Sequence, residues 1–275
     1  MSSISVPKNL PSPEEDCEKL KKACHGWGTD EHAIIEILGH RNAEQRVEIA
    51  HTYNGLYNES LVDRLKSELS GDFERAVVLW VLDPAERDAK LANEALLWPI
   101  VEITCASSPD HLMAVRKAYC SLFSYSLEED IVRQLLVRLV TSYRYSGEDV
   151  DESLARTEAT KLHDAIVIRI LGTRSKPHLK ATFNHYKQDY GKTIDEFTSL
   201  LKVAVCCLDS PEKHFAEVLR NSIVGLGTDE ESLTRAIVTR AEVDMKKIKE
   251  EYYGTSIIKG DTSGDYKKFL LTLVG

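Results

Sequence analysis

Arg41, within ILGHRNAEQR, is followed twelve positions later by Tyr53, and the same interval returns along the whole chain. It joins Ser107 to Tyr119, Arg174 to Tyr186 and Arg240 to Tyr252, so the anchors stand 66, 67 and 66 residues apart. A short apolar run precedes each anchor: IIEIL, IVEIT, IVIRIL and LTRAIV. Self-similarity at a fixed period is the strongest constraint a sequence can carry on its fold. Four copies of one unit, with no leftover domain, fill the 275 residues.

The units read as helices. Ser12-Pro13-Glu14-Glu15 offers an N-cap serine, a proline at the first helical position and a glutamate three after the cap. Thr29 and Thr228 are each placed to cap the next helix, with Asp30-Glu31 and Asp229-Glu230 in the positive first turn. Ile34, Ile37 and Leu38 share one face, and Val47, Ile49 and Tyr53 continue the apolar stripe. FERAVVLWVL, DEFTSLLKVAVCCL and YKKFLLTLV are further apolar helical stretches. Asp83-Pro84 and Ser210-Pro211 stop one helix and start the next. Nothing alternates as a strand. The expected fold is all-α, four units of about five short helices. The units fall at 13–83, 84–146, 147–209 and 210–275, behind a tail at 1–12.

Composition limits the partners. The formal net charge is −9, which repels nucleic acid and anionic lipid on average. Binding to a phosphate-rich surface therefore needs a local basic patch or a bridging cation, and nucleic acid is not expected as a partner. No apolar run approaches the roughly 20 residues that span a bilayer. The N-terminal MSSISVPKNLPSPEEDCEKL lacks a basic start and an apolar core, so a cytosolic protein is expected. Cys17, Cys24, Cys105, Cys120, Cys206 and Cys207 form neither C-x-x-C nor zinc-ligand spacing with histidine. They read as small buried residues or free surface thiols.

Two sequence elements recur together. GWGTDE, Gly26 to Glu31, returns as GLGTDE, Gly225 to Glu230. Downstream, ELSGDF (Glu68 to Phe73) returns as DTSGDY (Asp261 to Tyr266). The second and third units lack both elements. A paired presence and a paired absence point to one site built from two loops. Glycines let backbone carbonyls turn inward, and carbonyl oxygens plus one distant carboxylate suit a hard cation with six to eight oxygen ligands, namely Ca2+. With a single carboxylate such a site is weak alone, on the order of 10⁻⁴ M or poorer. Open coordination positions are left for water or a lipid phosphate. Trp27 and Leu226, between the glycines, read as membrane contacts, tryptophan being favoured at the membrane interface.

GWGTDE…ELSGDF and GLGTDE…DTSGDY, set in a fourfold helical repeat, resemble the annexin family. GHRNAEQR, LDPAERDA, SSPDHL, TSYRYSGEDV and TRSKPHLKATFNHYK resemble its plant branch. The resemblance implies four annexin-like repeats packed as a curved disc, and reversible Ca2+-dependent binding to anionic phospholipid, peripheral on membranes. By position it implies a first site on the carbonyls of Cys24, Gly26 and Gly28 and the carboxylate of Glu68. The fourth repeat would use the carbonyls of Ile223, Gly225 and Gly227 and the carboxylate of Asp261. The second and third repeats would be degenerate. One departure stands out: Gly28 to Glu68 is 40 residues, whereas Gly227 to Asp261 is 34. Similar shortening falls at NEAL-LWPI, LEEDI-VRQL and HDAI-VIRI. The gaps read as flexible loop segments left out of the numbering. A chain continuous through those joints would mean a damaged fourth site.

Plant members are also credited with peroxidase, nucleotide hydrolysis, F-actin binding or channel activity, and self-association is a further possibility. His40 resembles the histidine invoked for peroxidase chemistry, but it lacks a haem-attachment pattern and reads as structural. Gly191-Lys192-Thr193 lacks the upstream glycine and strand of a phosphate loop. Ile168-Arg169-Ile170 matches a proposed actin motif, although its apolar residues read as core. Cys105 lacks a second cysteine at Val238. GEDVDESL lacks the central glycine of an EF-hand. No enzyme is expected.

Overall fold

The computed structural model describes residues 1–26, 28–94, 98–130, 199–223, 227–252 and 262–275. The described residues are helical, with no strand among them. The chain divides into two compact units, Met1–Arg87 with Glu212–Gly275, and Asp88–Pro211. The first and last copies of the repeat thus share one unit. Most of the third copy, with the GEDVDESL, Ile168-Arg169-Ile170 and Gly191-Lys192-Thr193 segments, lies outside the described residues.

In the first unit, α1 (Pro13–Ala23), α2 (Glu31–Leu38), α3 (Ala43–Tyr57), α4 (Leu61–Glu68) and α5 (Gly71–Val81) make the first copy. Ser12 caps α1 as expected, its hydroxyl accepting from the Glu15 amide at 3.3 Å. The cap of α2 is not Thr29 but Asp30, whose carboxylate accepts from the Ala33 amide at 3.0 Å. Asp229 does the same for the later copy, accepting from Ser232 at 3.1 Å. Either residue of a Thr-Asp pair can cap a helix. Here the threonine is drawn off by another partner, described below.

Leu20, Ile34, Leu38, Ile49, Tyr53, Leu61, Leu65 and Trp80 are fully buried where these helices meet. Val47, placed on the apolar stripe of α3 by the sequence reading, is 41% exposed. Arg46 takes the inward position instead, with no exposed surface. It lies three residues before Ile49 and seven before Tyr53, which is the helical spacing of that same buried face. Its guanidinium stacks 3.5 Å from the centroid of the Trp80 ring. Nε donates to the Trp80 carbonyl at 2.7 Å, and Nη1 to the Arg41 carbonyl at 2.7 Å. Nη1 and Nη2 reach the two carboxylate oxygens of Glu242 at 3.2 and 2.9 Å. Arg41 itself pairs with buried Asp16 through two bonds of 2.7 and 2.9 Å.

The last copy contributes α10 (Pro211–Ile223), α11 (Glu230–Arg240), α12 (Met245–Tyr252) and α13 (Gly264–Val274), numbered after the helices of the second unit. α5 packs against α11 and α13, with Phe73 edge-on to Phe269 at 6.0 Å. Arg240, at the anchor matching Arg41, pairs with Asp244 at 2.9 and 2.5 Å and stacks 4.7 Å from Phe215. The N-terminal residues are tied to this copy. Ser3 is buried and donates to the carbonyls of Ala241 and Leu273. His40 Nδ1 lies 2.9 Å from the Ser5 carbonyl, a contact that fits the structural reading of that histidine.

In the second unit, α6 (Pro84–Glu94, which crosses the unit boundary), α7 (Trp98–Ala106), α8 (Pro109–Phe123) and α9 (Ser199–Asp209) are described, and α7 packs against α9. Pro84 and Pro211 each begin a helix, as the sequence indicated. Tyr119 is fully buried, donating to Asp130 at 2.6 Å and accepting from Asn93 at 3.0 Å. The recurring tyrosine is thus a fully buried core residue at Tyr53 and at Tyr119. Of the cysteines, Cys17, Cys24 and Cys207 are buried and Cys120 is exposed. None of the described helices is long and apolar enough to cross a membrane.

The 275-residue sequence runs continuously through all four shortened joints. The reading of loop segments left out of the numbering turns on the backbone at these joints. The joints themselves fall at the edges of the described residues or beyond them.

Two stability outcomes follow. Arg46→Ala would strand Glu242 and two carbonyls, and should cost about 3–5 kcal/mol, the range for breaking a buried ion pair on one side; urea unfolding at neutral pH measures it. His214 is held neutral by burial, its pKa pushed down to about 4. The unfolded chain takes up that proton near its ordinary pKa of about 6.5, so the contribution is intact above that pH and declines toward pH 4. The urea midpoint should fall on acidification from pH 7 to 5, and His214→Phe should flatten that slope.

Candidate metal site

The first glycine loop runs from the end of α1 to the start of α2. Cys24 is the C-cap of α1, its amide donating to Leu20 at 3.0 Å. The Asp30 amide then donates back to the Ala23 carbonyl at 2.9 Å, closing the loop at its base. The later loop closes identically, the Asp229 amide donating to the Ser222 carbonyl at 2.7 Å. Within these frames Gly26 and Gly28 have φ of +119° and +92°, and Gly227 has φ of +103°. A side chain at Gly28 or Gly227 would meet no neighbour, so the requirement there is conformational rather than spatial. Positive φ redirects successive peptide groups within a short loop, which is what a site built on carbonyls demands.

Glu68 is the last residue of α4, its side chain 24% exposed. The Thr29 hydroxyl lies 3.3 Å from the Glu68 carbonyl and 3.4 Å from its Oε2. The glycine loop and the downstream acid, 39 positions apart, are therefore neighbours. This contact is what takes Thr29 away from the cap. Cys24 belongs to the same neighbourhood: burial, and then the Glu68 charge, push its thiol up to about 11. Of the residues named from sequence, Cys24, Gly26, Gly28 and Glu68 are described in the first site, and Ile223 and Gly227 in the fourth. Trp27, Gly225, Leu226 and Asp261 lie outside the described residues.

Arg64 is a participant the sequence reading missed. One turn before Glu68 on α4, its Nη1 lies 3.2 Å from Glu68 Oε1. Its Nη2 holds Glu59 Oε1 at 2.8 Å, and Lys21 holds Glu59 Oε2 at 3.0 Å. The Lys21 hydrogen bond, with help from Arg64, lowers the Glu59 pKa, and the Glu59 hydrogen bond raises that of Arg64. Lys21 also lies 5.0 Å from the Tyr57 ring centroid. The i to i+4 spacing of Arg64 and Glu68 on a helix was the available signal.

The Ser-Gly-Asp turns also prove to be paired. Gly71 and Gly264 both have φ of +63°, opening α5 and α13. Between the two turns lies a cavity of about 400 Å³ lined by Glu31, Glu68, Asp72, Glu230 and Asp265, with no basic residue on its wall among the described residues. The Tyr266 hydroxyl ties α13 to α11, meeting Thr234 Oγ1 at 2.8 Å and the Glu230 carbonyl at 3.2 Å.

Among the described residues no three His, Cys, Asp or Glu side chains gather in a form that could hold a metal. The chemistry on offer is loop carbonyls with one carboxylate, an all-oxygen set that fits a hard cation such as calcium and not a thiolate- or imidazole-seeking metal.

The annexin sequence model matches residues 15–80, 151–197 and 214–273. The chain is 50% identical over 318 residues to Annexin D3 of Arabidopsis thaliana, covering 100% of this chain and 99% of that protein. That alignment is longer than the 275 residues present here, so its gaps fall in this chain. Among solved structures it resembles annexin III, with a TM-score of 0.82, 32% identity, and coverage of 100% of this chain and 97% of that one. It also resembles calcium-bound annexin (Sm)1, with a TM-score of 0.76, 28% identity, and coverage of 100% and 93%. Shared repeats, shared fold and full-length identity lead to one conclusion: the chain belongs to the annexin family, whose members bind phospholipid in a calcium-dependent way and are in general not enzymes.

Proposed function

We propose that this chain binds anionic phospholipid surfaces through calcium held in the first and fourth copies of its repeat. The first site would use the carbonyls of Cys24, Gly26 and Gly28 with the carboxylate of Glu68. The fourth would use the carbonyls of Ile223, Gly225 and Gly227 with the carboxylate of Asp261. When bound, calcium supplies the positive charge that lets an acidic protein and an acidic membrane share one contact. The chain's own part is to present oxygens on one side and leave the other side open. Trp27 and Leu226, at the tips of the loops, are assigned to the interfacial region of the lipid.

One observation carries this reading: the Thr29 hydroxyl against Glu68, 3.4 Å from Oε2 across 39 positions. It brings together the two sequence elements that recur only as a pair. The repeated closure, Asp30 on Ala23 and Asp229 on Ser222, supports extending the reading to the fourth copy. The four repeats are taken as 13–83, 84–146, 147–209 and 210–275, with calcium assigned to the outer two. His40, held at the Ser5 carbonyl, favours no catalytic role.

Cosedimentation with phosphatidylserine-containing liposomes tests the assignment. Binding should require calcium. Glu68→Ala should raise the calcium needed for half-binding by roughly tenfold or more, the cost of losing the only charged ligand of a weak site. Glu68→Ala with Asp261→Ala should remove calcium-dependent binding. Wild-type binding by the double variant would reject these ligands, and binding without calcium would reject the mechanism.

A further inference from the structure

The geometry points to Arg64 as a built-in competitor of the cation, a residue that occupies Glu68 in the calcium-free protein and thereby sets the calcium affinity of the first loop. The inference rests on Glu68 being a calcium ligand, as proposed above.

Glu68 has two carboxylate oxygens, and both are engaged. Oε1 faces Arg64 Nη1 at 3.2 Å, and Oε2 faces the Thr29 hydroxyl at 3.4 Å. The two partners differ in kind. Thr29 is neutral and belongs to the glycine loop, so it holds the carboxylate at the loop without opposing a cation there. Arg64 carries a fixed positive charge next to the position a divalent ion would take. Any cation seated on Glu68 therefore meets a guanidinium at hydrogen-bonding distance from the same carboxylate.

Arg64 is also held in place. Glu59 grips Nη2 at 2.8 Å, and Lys21 in turn grips Glu59 at 3.0 Å. A solvated arginine at this position would swing away at little cost once calcium arrived. One clamped by Glu59 retains its charge beside the site, and the repulsion persists in the loaded state. A partly solvated i to i+4 pair of this kind contributes little to stability, so its main effect falls on the cation rather than on the fold.

The test is calcium binding measured directly by equilibrium dialysis with calcium-45 on the full chain, in an Asp261→Asn background that leaves the first loop as the site read. Arg64→Gln should tighten binding by roughly tenfold, the size expected for one unit charge removed from a few ångström of a divalent ion in a water-like dielectric. Arg64→Lys keeps the charge and should stay within about twofold of the parent. Thermal melting without calcium should be near the parent value for both variants, which separates an effect on the ion from an effect on folding. Glu68→Gln is the reference. If it leaves calcium binding unchanged, the ligand assignment fails, and this inference with it. If it weakens binding while Arg64→Gln weakens it too or leaves it unaltered, Arg64 is a support for Glu68 and the competitor role alone is overturned. In the Glu68→Gln background, Arg64→Gln should have a smaller effect than it has alone, since the carboxylate that links the two charges is gone.

Discussion

A guanidinium with no exposed surface holds the first unit together, and the geometry of its loops depends on it. Burying an unpaired charge is prohibitive, so Arg46 tolerates its position only because three separate segments meet there. The Arg41 carbonyl comes from the turn between α2 and α3, and the Trp80 carbonyl from the end of α5. The Glu242 carboxylate comes from the turn after α11. The first two come from the same copy as Arg46, and the Glu242 carboxylate is within reach only when the first and fourth copies are docked on each other. The same docking sets α5 beside α11 and α13, with Phe73 against Phe269. The two Ser-Gly-Asp turns open α5 and α13, so an ion pair in the core determines how the acidic turns face one another across their cavity.

That cavity and the loops share an electrostatic logic. Glu31, Glu68, Asp72, Glu230 and Asp265 line it, with no basic residue among the described residues of its wall. A cleft of one sign raises the local concentration of counter-ions, here cations, and repels an anionic surface. A single carboxylate per loop keeps each proposed site weak, so calcium is held poorly until further oxygens are supplied from outside. Low intrinsic affinity and an acidic surround are thus two halves of one design. Under the function proposed above, the protein would stay off the membrane without calcium and would need the membrane to complete the coordination with it. Arg64 belongs to the same logic, as a positive charge placed where it opposes the first cation and not the lipid.

The repeat and its helices were legible because both are periodic. Ser12, Pro84 and Pro211 start helices where local chemistry says they should. The paired loop elements were legible because they recur and vanish together, and Thr29 against Glu68 brings them into contact. Besides Arg64, three features were not read. Arg46 sits on the buried face of α3 at helical spacing from Ile49 and Tyr53, but a charge in an apolar stripe is discounted unless its partner is known, and Glu242 is 196 positions away. Val47 was chosen in its place because it is apolar. The cap of α2 went to Thr29 rather than Asp30, since neighbouring capping residues compete on equal local terms and a distant carboxylate broke the tie. Each miss is a tertiary contact overriding a local preference that was sound by itself.

The fourth copy follows from separating what the chain lost from what it kept. Six residues are missing between Gly227 and Asp261 relative to the first copy, and a damaged site is the immediate expectation. Yet the interval from the acid to the glycine of the following turn is three residues in both copies, Glu68 to Gly71 and Asp261 to Gly264. The loss therefore lies wholly on the N-terminal side of the acid. On its C-terminal side the turn is preserved, with Gly264 at the φ of Gly71 and α13 fixed by Tyr266 on Thr234 and Glu230. On the loop side, Gly227 repeats the conformation of Gly28, and Asp229 closes on Ser222. Three residues span at most about 11 Å of extended chain. Asp261 stands three residues before an anchored turn, whatever the length of the segment before it. The shortened approach leaves that three-residue spacing unchanged, and the proposed fourth site keeps Asp261 as its carboxylate on that ground.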